Sequence, residues 1–80
     1  MSEASLPMPL LRAHKEGTDL TGAEAAVLRR IALGDTQVEA AHRLGKSLET
    51  VRKQTKLARA RLSARTNAQA VAIAVSLDLI

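Results

Sequence analysis

The sequence predicts an all-α domain of four short helices behind an N-terminal arm. Helix-opening signals recur at Thr21, Thr36, Ser47 and Thr66, and apolar residues return at helical spacing after each of them. Gly34 and Gly45 interrupt the runs at points where a helix would end.

Eighty residues bound the chain to one small domain. A chain of this size buries only ~60–65% of the surface it exposes when unfolded. It has no Phe, Tyr or Trp, so the core must come from Leu, Val, Ile and Ala, which bury less area per residue than aromatics. A second copy of the chain would offset that deficit, because association stabilises the folded form by mass action. The absence of Cys excludes disulfides and thiolate metal sites. No apolar run approaches the ~20 residues that span a bilayer, and the start lacks a basic segment followed by an apolar one. The expected location is the cytoplasm, on the nucleoid, with no membrane partner.

Residues 1–19 read as the arm, with Pro7 and Pro9 opposing regular structure and Gly17 marking its end. Thr21-Gly22-Ala23-Glu24 has capping-box spacing, and Leu20 stands where a hydrophobic staple would place it. That helix should run to about Leu33, with Ala23, Val27, Leu28, Ile31 and Ala32 inward and Gly34 ending it. Thr36-Gln37-Val38-Glu39 repeats the signal and opens a short helix to Leu44, with Val38, Ala41 and Leu44 inward and Ala40 near the core. Gly45 then allows a sharp turn into Ser47, since glycine takes a left-handed conformation at little cost. A short helix, a glycine turn and a longer helix make a helix-turn-helix unit.

The longer helix starts at the Ser47 cap and contains neither Pro nor Gly up to Leu62. At about 100° per residue, Leu48, Val51, Ala58 and Leu62 fall on one side. Glu49, Arg52, Lys53 and Lys56 fall on the other, with Arg59 near its edge. Between Lys46 and Arg65 there are seven basic residues and one acid, whereas the other residues hold five basic and seven acidic groups. The net charge of +4 is therefore concentrated on one helix and its flanks, the footprint of a phosphate-binding face. An isolated run of this kind would be an ordinary solvated face; the preceding helix and turn favour DNA.

Thr66-Asn67-Ala68-Gln69 is a third capping-box spacing, opening a helix from Asn67 to about Leu77. Ala68, Ala70, Val71, Ala72, Ile73, Ala74, Val75 and Leu77 leave Gln69 and Ser76 as its polar positions before Asp78. A helix apolar all round is covered on more than one side. One flank should pack on the first helix and the other, through Val71, Val75 and Leu77, should meet a second copy.

Taken together, these elements resemble the LuxR/GerE-type helix-turn-helix domain of bacterial transcription regulators. The likeness covers Leu20 to Val75. It rests on Leu20-Thr21, Glu24, Val27-Leu28, Ile31-Ala32 and Gly34, then Glu39, Ala41 and Leu44, then Ser47, Thr50-Val51 and Arg52, and finally Leu62, Ala68, Ala70 and Val71. It implies a third helix that enters the major groove and a fourth that mediates dimerisation. By position, Arg52, Lys53 and Lys56 match residues that commonly reach base edges. Lys46, Ser47, Thr50, Gln54 and Arg61 match positions nearer the phosphates. The chemistry agrees, since Arg and Lys donate to guanine N7 and O6, while Ser, Thr and Lys at a helix N-terminus suit phosphate.

The sequence also departs from the pattern. Ala40 and Ala58 stand where the family usually has Ile, and Ala64 where it has a larger aliphatic. Gln54 replaces a frequent His, Asn67 a frequent Arg, and Leu57 a usually polar residue. No receiver or ligand-binding domain precedes the motif in these residues, so control by phosphorylation or autoinducer is not expected by the usual route.

The function this implies is a stand-alone, homodimeric DNA-binding transcription regulator on an inverted-repeat site. The alternative is an interaction module that pairs through its last helix with a LuxR-type regulator and antagonises or redirects it. The run Leu57-Ala58-Arg59-Ala60-Arg61-Leu62 also resembles the basic helix of a sigma-factor promoter-recognition domain, which the apolar last helix fits less well. Enzymatic activity and a bound cofactor are not expected. His14 and His42 have no second ligand one turn on, and there is no Gly-rich phosphate loop or nucleophile motif.

Overall fold

The computed structural model describes residues 19–80; the arm expected over residues 1–19 lies, apart from Asp19, outside them. Four α-helices follow in order: α1 (Gly22–Ala32), α2 (Gln37–Leu44), α3 (Leu48–Leu62) and α4 (Asn67–Ser76).

Each helix begins where a hydroxyl can accept from an otherwise unpaired amide. At α1, Thr21 Oγ1 accepts from the Glu24 amide at 3.0 Å, and Glu24 Oε1 accepts from the Thr21 amide at 3.1 Å. Thr36 and Glu39 make the same reciprocal pair at α2, at 3.1 and 2.8 Å. At α3, Ser47 Oγ accepts from the Thr50 amide at 3.0 Å. The fourth start differs from its spacing. Thr66 Oγ1 accepts from the Gln69 amide at 3.0 Å, but Gln69 Oε1 reaches past the cap to the Arg65 amide at 2.7 Å. Thr66 is more extended than the other threonine caps, with φ −132° against −70° and −72°, so the reciprocal half of the box is not made.

The helix ends are equally local. Gly45 takes φ 66°, and the Lys46 amide reaches back to the Ala41 carbonyl at 2.9 Å, which turns the chain from α2 into α3. Ser63 does the same after α3, with φ 55° and the Ala64 amide on the Arg59 carbonyl at 2.8 Å. A left-handed serine carries a steric cost that glycine does not. Ser63→Gly is therefore expected to raise unfolding free energy by about 0.5–1 kcal/mol, read as a higher urea midpoint at unchanged slope.

The core divides into two clusters, with α1 and α3 supplying residues to both. Leu28, Ala58, Leu62, Ala70 and Ala74 form one, backed by Leu20, Ala64, Val71, Ile73, Leu79 and Ile80. Val27, Ala40, Ala41 and Val51 form the other, backed by Ile31 and Leu44. So α4 closes one end of the α1–α3 pair and α2 closes the other. Thr55 is also buried on the inner seam of α3, its hydroxyl satisfied by the Arg52 carbonyl at 2.9 Å.

Three inward expectations are corrected. Ala23 and Ala32 of α1 are exposed, while Ala25 and Glu24 are buried. Val38 is 61% exposed. The inner seam of α2 runs through Ala40, Ala41 and Leu44, and Val38 lies about 60° beyond Ala41 on the side away from Ala40, outside that seam.

An ion pair fastens α1 to α2. Asp35, between them, accepts from Arg30 Nε at 2.8 Å, and Arg43 Nε lies 3.3 Å away. The Arg30 hydrogen bond holds the Asp35 carboxyl below its ordinary range; burial opposes this, and the charges of Arg30 and Arg43 reinforce it. A depressed folded-state value means the contribution to stability is complete above the unfolded-state value and is lost as pH falls through the folded one. Stability is expected to decline below about pH 4, and less so in Asp35→Asn, as urea midpoints across that range would show.

Candidate nucleic-acid interface

The Gly45 turn projects α3 from the domain with its buried residues, Val51, Thr55, Ala58 and Leu62, against α1, α2 and α4. The opposite side carries Glu49, Arg52, Lys53, Lys56 and Ala60, all exposed. Among the described residues, Arg52, Lys53 and Lys56 make no ion pair with a carboxylate. Three cations at adjoining helical positions, with Glu49 as the one acid beside them, give a compact face that is net positive.

The positions expected nearer the phosphates are more varied. Lys46 Nζ donates to Gln54 Oε1 at 2.9 Å, spanning the turn and the start of α3. Ser47 Oγ and Thr50 Oγ1 lie 2.8 Å apart at the exposed N-terminus of the helix. These four residues form one polar border beside the cationic face. Arg61 is different: its Nε lies 2.9 Å from Glu24 Oε1 in an ion pair. Glu24 is only 3% exposed, so Arg61 bridges α3 to the start of α1 and its charge is paired within the domain. Arg59 is half-buried and donates to Asn67 Oδ1, which ties α3 to α4. The basic residues of α3 therefore fall into two sets, one facing outward and one holding neighbouring helices.

On α4, Val71, Val75 and Leu77 are not equivalent. Val75 is 57% exposed. Val71 is half-buried and packs on the core of its own chain. Leu77 is 8% exposed, buried within its own chain. The exposed apolar surface lies instead in an open groove between the C-terminal ends of α1 and α4, lined by Arg29, Ala32, Leu33, Val75 and Ile80. Leu33, absent from the sequence-based interface, is its most exposed large residue at 71%.

Among the described residues, no three His, Cys, Asp or Glu side chains gather as a metal site, and no helix is long and apolar enough to cross a membrane. No protein-family model, curated protein or solved structure matches the chain.

Proposed function

We propose that the chain is a sequence-specific, DNA-binding transcription regulator of the LuxR/GerE helix-turn-helix type, acting as a homodimer on an inverted repeat. The outward face of α3 carries this reading: Arg52, Lys53 and Lys56 are exposed together, opposite a fully buried seam. On this reading α3 lies in the major groove. The three cations reach base edges, and Lys46, Ser47, Thr50 and Gln54 border the phosphates. Binding is non-covalent and gains from release of counterions. Two chains, paired around Val75 and Leu33, would present their α3 helices to half-sites about one helical turn apart.

The test is selection from a random duplex pool, followed by fluorescence anisotropy on the enriched sequence at two salt concentrations. Enrichment of an inverted repeat, two chains per duplex and affinity that falls steeply with salt are expected. Failure to bind any duplex at low salt, or binding without sequence preference, would overturn the proposal.

The exposed Leu33–Val75 groove also suits a second reading, in which the chain pairs with a full-length LuxR-type regulator and disables it. In that case the chain alone leaves duplexes unshifted and abolishes the shift that the regulator produces.

A further inference from the structure

Among the large apolar residues of α3, Leu48 is half-buried and Val51 and Leu62 are buried, but Leu57 is 41% exposed and belongs to neither core cluster. Its place on the helix gives that exposure a use. Leu57 stands one turn beyond Lys53 on the same flank and directly follows Lys56, at the border of the cationic face. A second copy of the same face is a poor cover for it, because Lys53 and Lys56 would be brought against their own like charges. If α3 occupies a major groove, however, the same two lysines carry Leu57 to the base edges. The apolar group exposed there is the C5-methyl of thymine; the other edges are hydrogen-bond donors and acceptors.

We infer that Leu57 is a specificity-determining residue that selects a thymine by packing on its C5-methyl group. This rests on the DNA-binding reading and adds to it a base identity that the charged residues do not supply. Arg52, Lys53 and Lys56 act through donors and prefer guanine acceptors, whereas Leu57 offers guanine no donor and would desolvate its N7 and O6 acceptors without replacing their hydrogen bonds. Selectivity arises because burying a methyl against leucine is favourable and deleting that methyl removes the gain.

The experiment substitutes deoxyuridine for each thymidine of the selected half-site in turn, which deletes one methyl and leaves pairing intact. For the unmodified chain, one position is expected to lose about fourfold in affinity, the equivalent of ~0.8 kcal/mol per buried methyl-sized group. Leu57→Ala should bind the thymidine and deoxyuridine duplexes equally at that position, at the level of the unmodified chain on deoxyuridine. Its helical circular dichroism should be unchanged, since Leu57 lies outside both core clusters. Indifference of the unmodified chain to every substitution, or a full thymidine preference retained by Leu57→Ala, would overturn the assignment while leaving DNA binding intact. Absence of binding to any duplex would remove the DNA-binding reading itself, and this assignment with it.

Discussion

Replacing Lys53 or Lys56 with alanine is expected to cost about 1–3 kcal/mol each on the selected duplex and to relax base preference at one position. The direction follows from the way the two side chains are presented. Both are exposed, and neither pairs with a carboxylate among the described residues. Removing either should leave thermal unfolding unchanged, because nothing in the core leans on them. Anisotropy on the selected and a scrambled duplex separates the possible roles. A base-reading lysine loses more on the selected sequence. A phosphate anchor loses equally on both and lowers the salt slope by about one. Equal loss for both lysines would strip the cationic face of its reading role. Arg61→Ala is a poor comparison, because it also releases the buried Glu24.

That contrast between Lys53 and Arg61 marks how far the interface could be read before coordinates. Helix starts were legible because their signals are written within four residues: Thr21 with Glu24, Thr36 with Glu39, Ser47 with Thr50. The outward set of α3 was legible for a related reason, since helical periodicity sets which side chains oppose a buried seam. Thr55 had the same signal, one turn after Val51 and one turn before Ala58, and only its polarity hid it. The Glu24–Arg61 pair was not legible, because it joins α1 to α3 across the fold and no local rule brings them together. Leu77 escaped for the opposite reason. With α4 apolar on every side, its sequence has no phase from which to tell the flank facing its own core from the flank left open. Only packing separates buried Leu77 from exposed Val75.

The largest expected effect on stability falls on Glu24. Its carboxylate accepts from the Thr21 amide at 3.1 Å and forms an ion pair with Arg61 Nε at 2.9 Å, both through Oε1, at a site 3% exposed. One group therefore caps α1 and holds α3 against it. Glu24→Ala removes both contacts and is expected to lower unfolding free energy by about 2–3 kcal/mol. Glu24→Gln keeps an acceptor that can complete the capping box but lacks the charge, and should cost only about 1 kcal/mol, since Arg61 is 43% exposed and water screens its share. A domain of some sixty residues holds only about 3–9 kcal/mol in total. The alanine variant should thus melt roughly 10–20 °C lower, at about 4–8 °C per kcal/mol for a domain of this size. Equal losses for alanine and glutamine would assign the effect to the ion pair alone, and near-zero loss for both would show that neither contact stabilises the fold. Because the substituted side chain lies away from Arg52, Lys53 and Lys56, either variant, kept below its melting point, should still bind the selected duplex. Loss of binding in a folded Glu24→Gln would mean that Arg61 must be held by its carboxylate partner to place α3 in the groove.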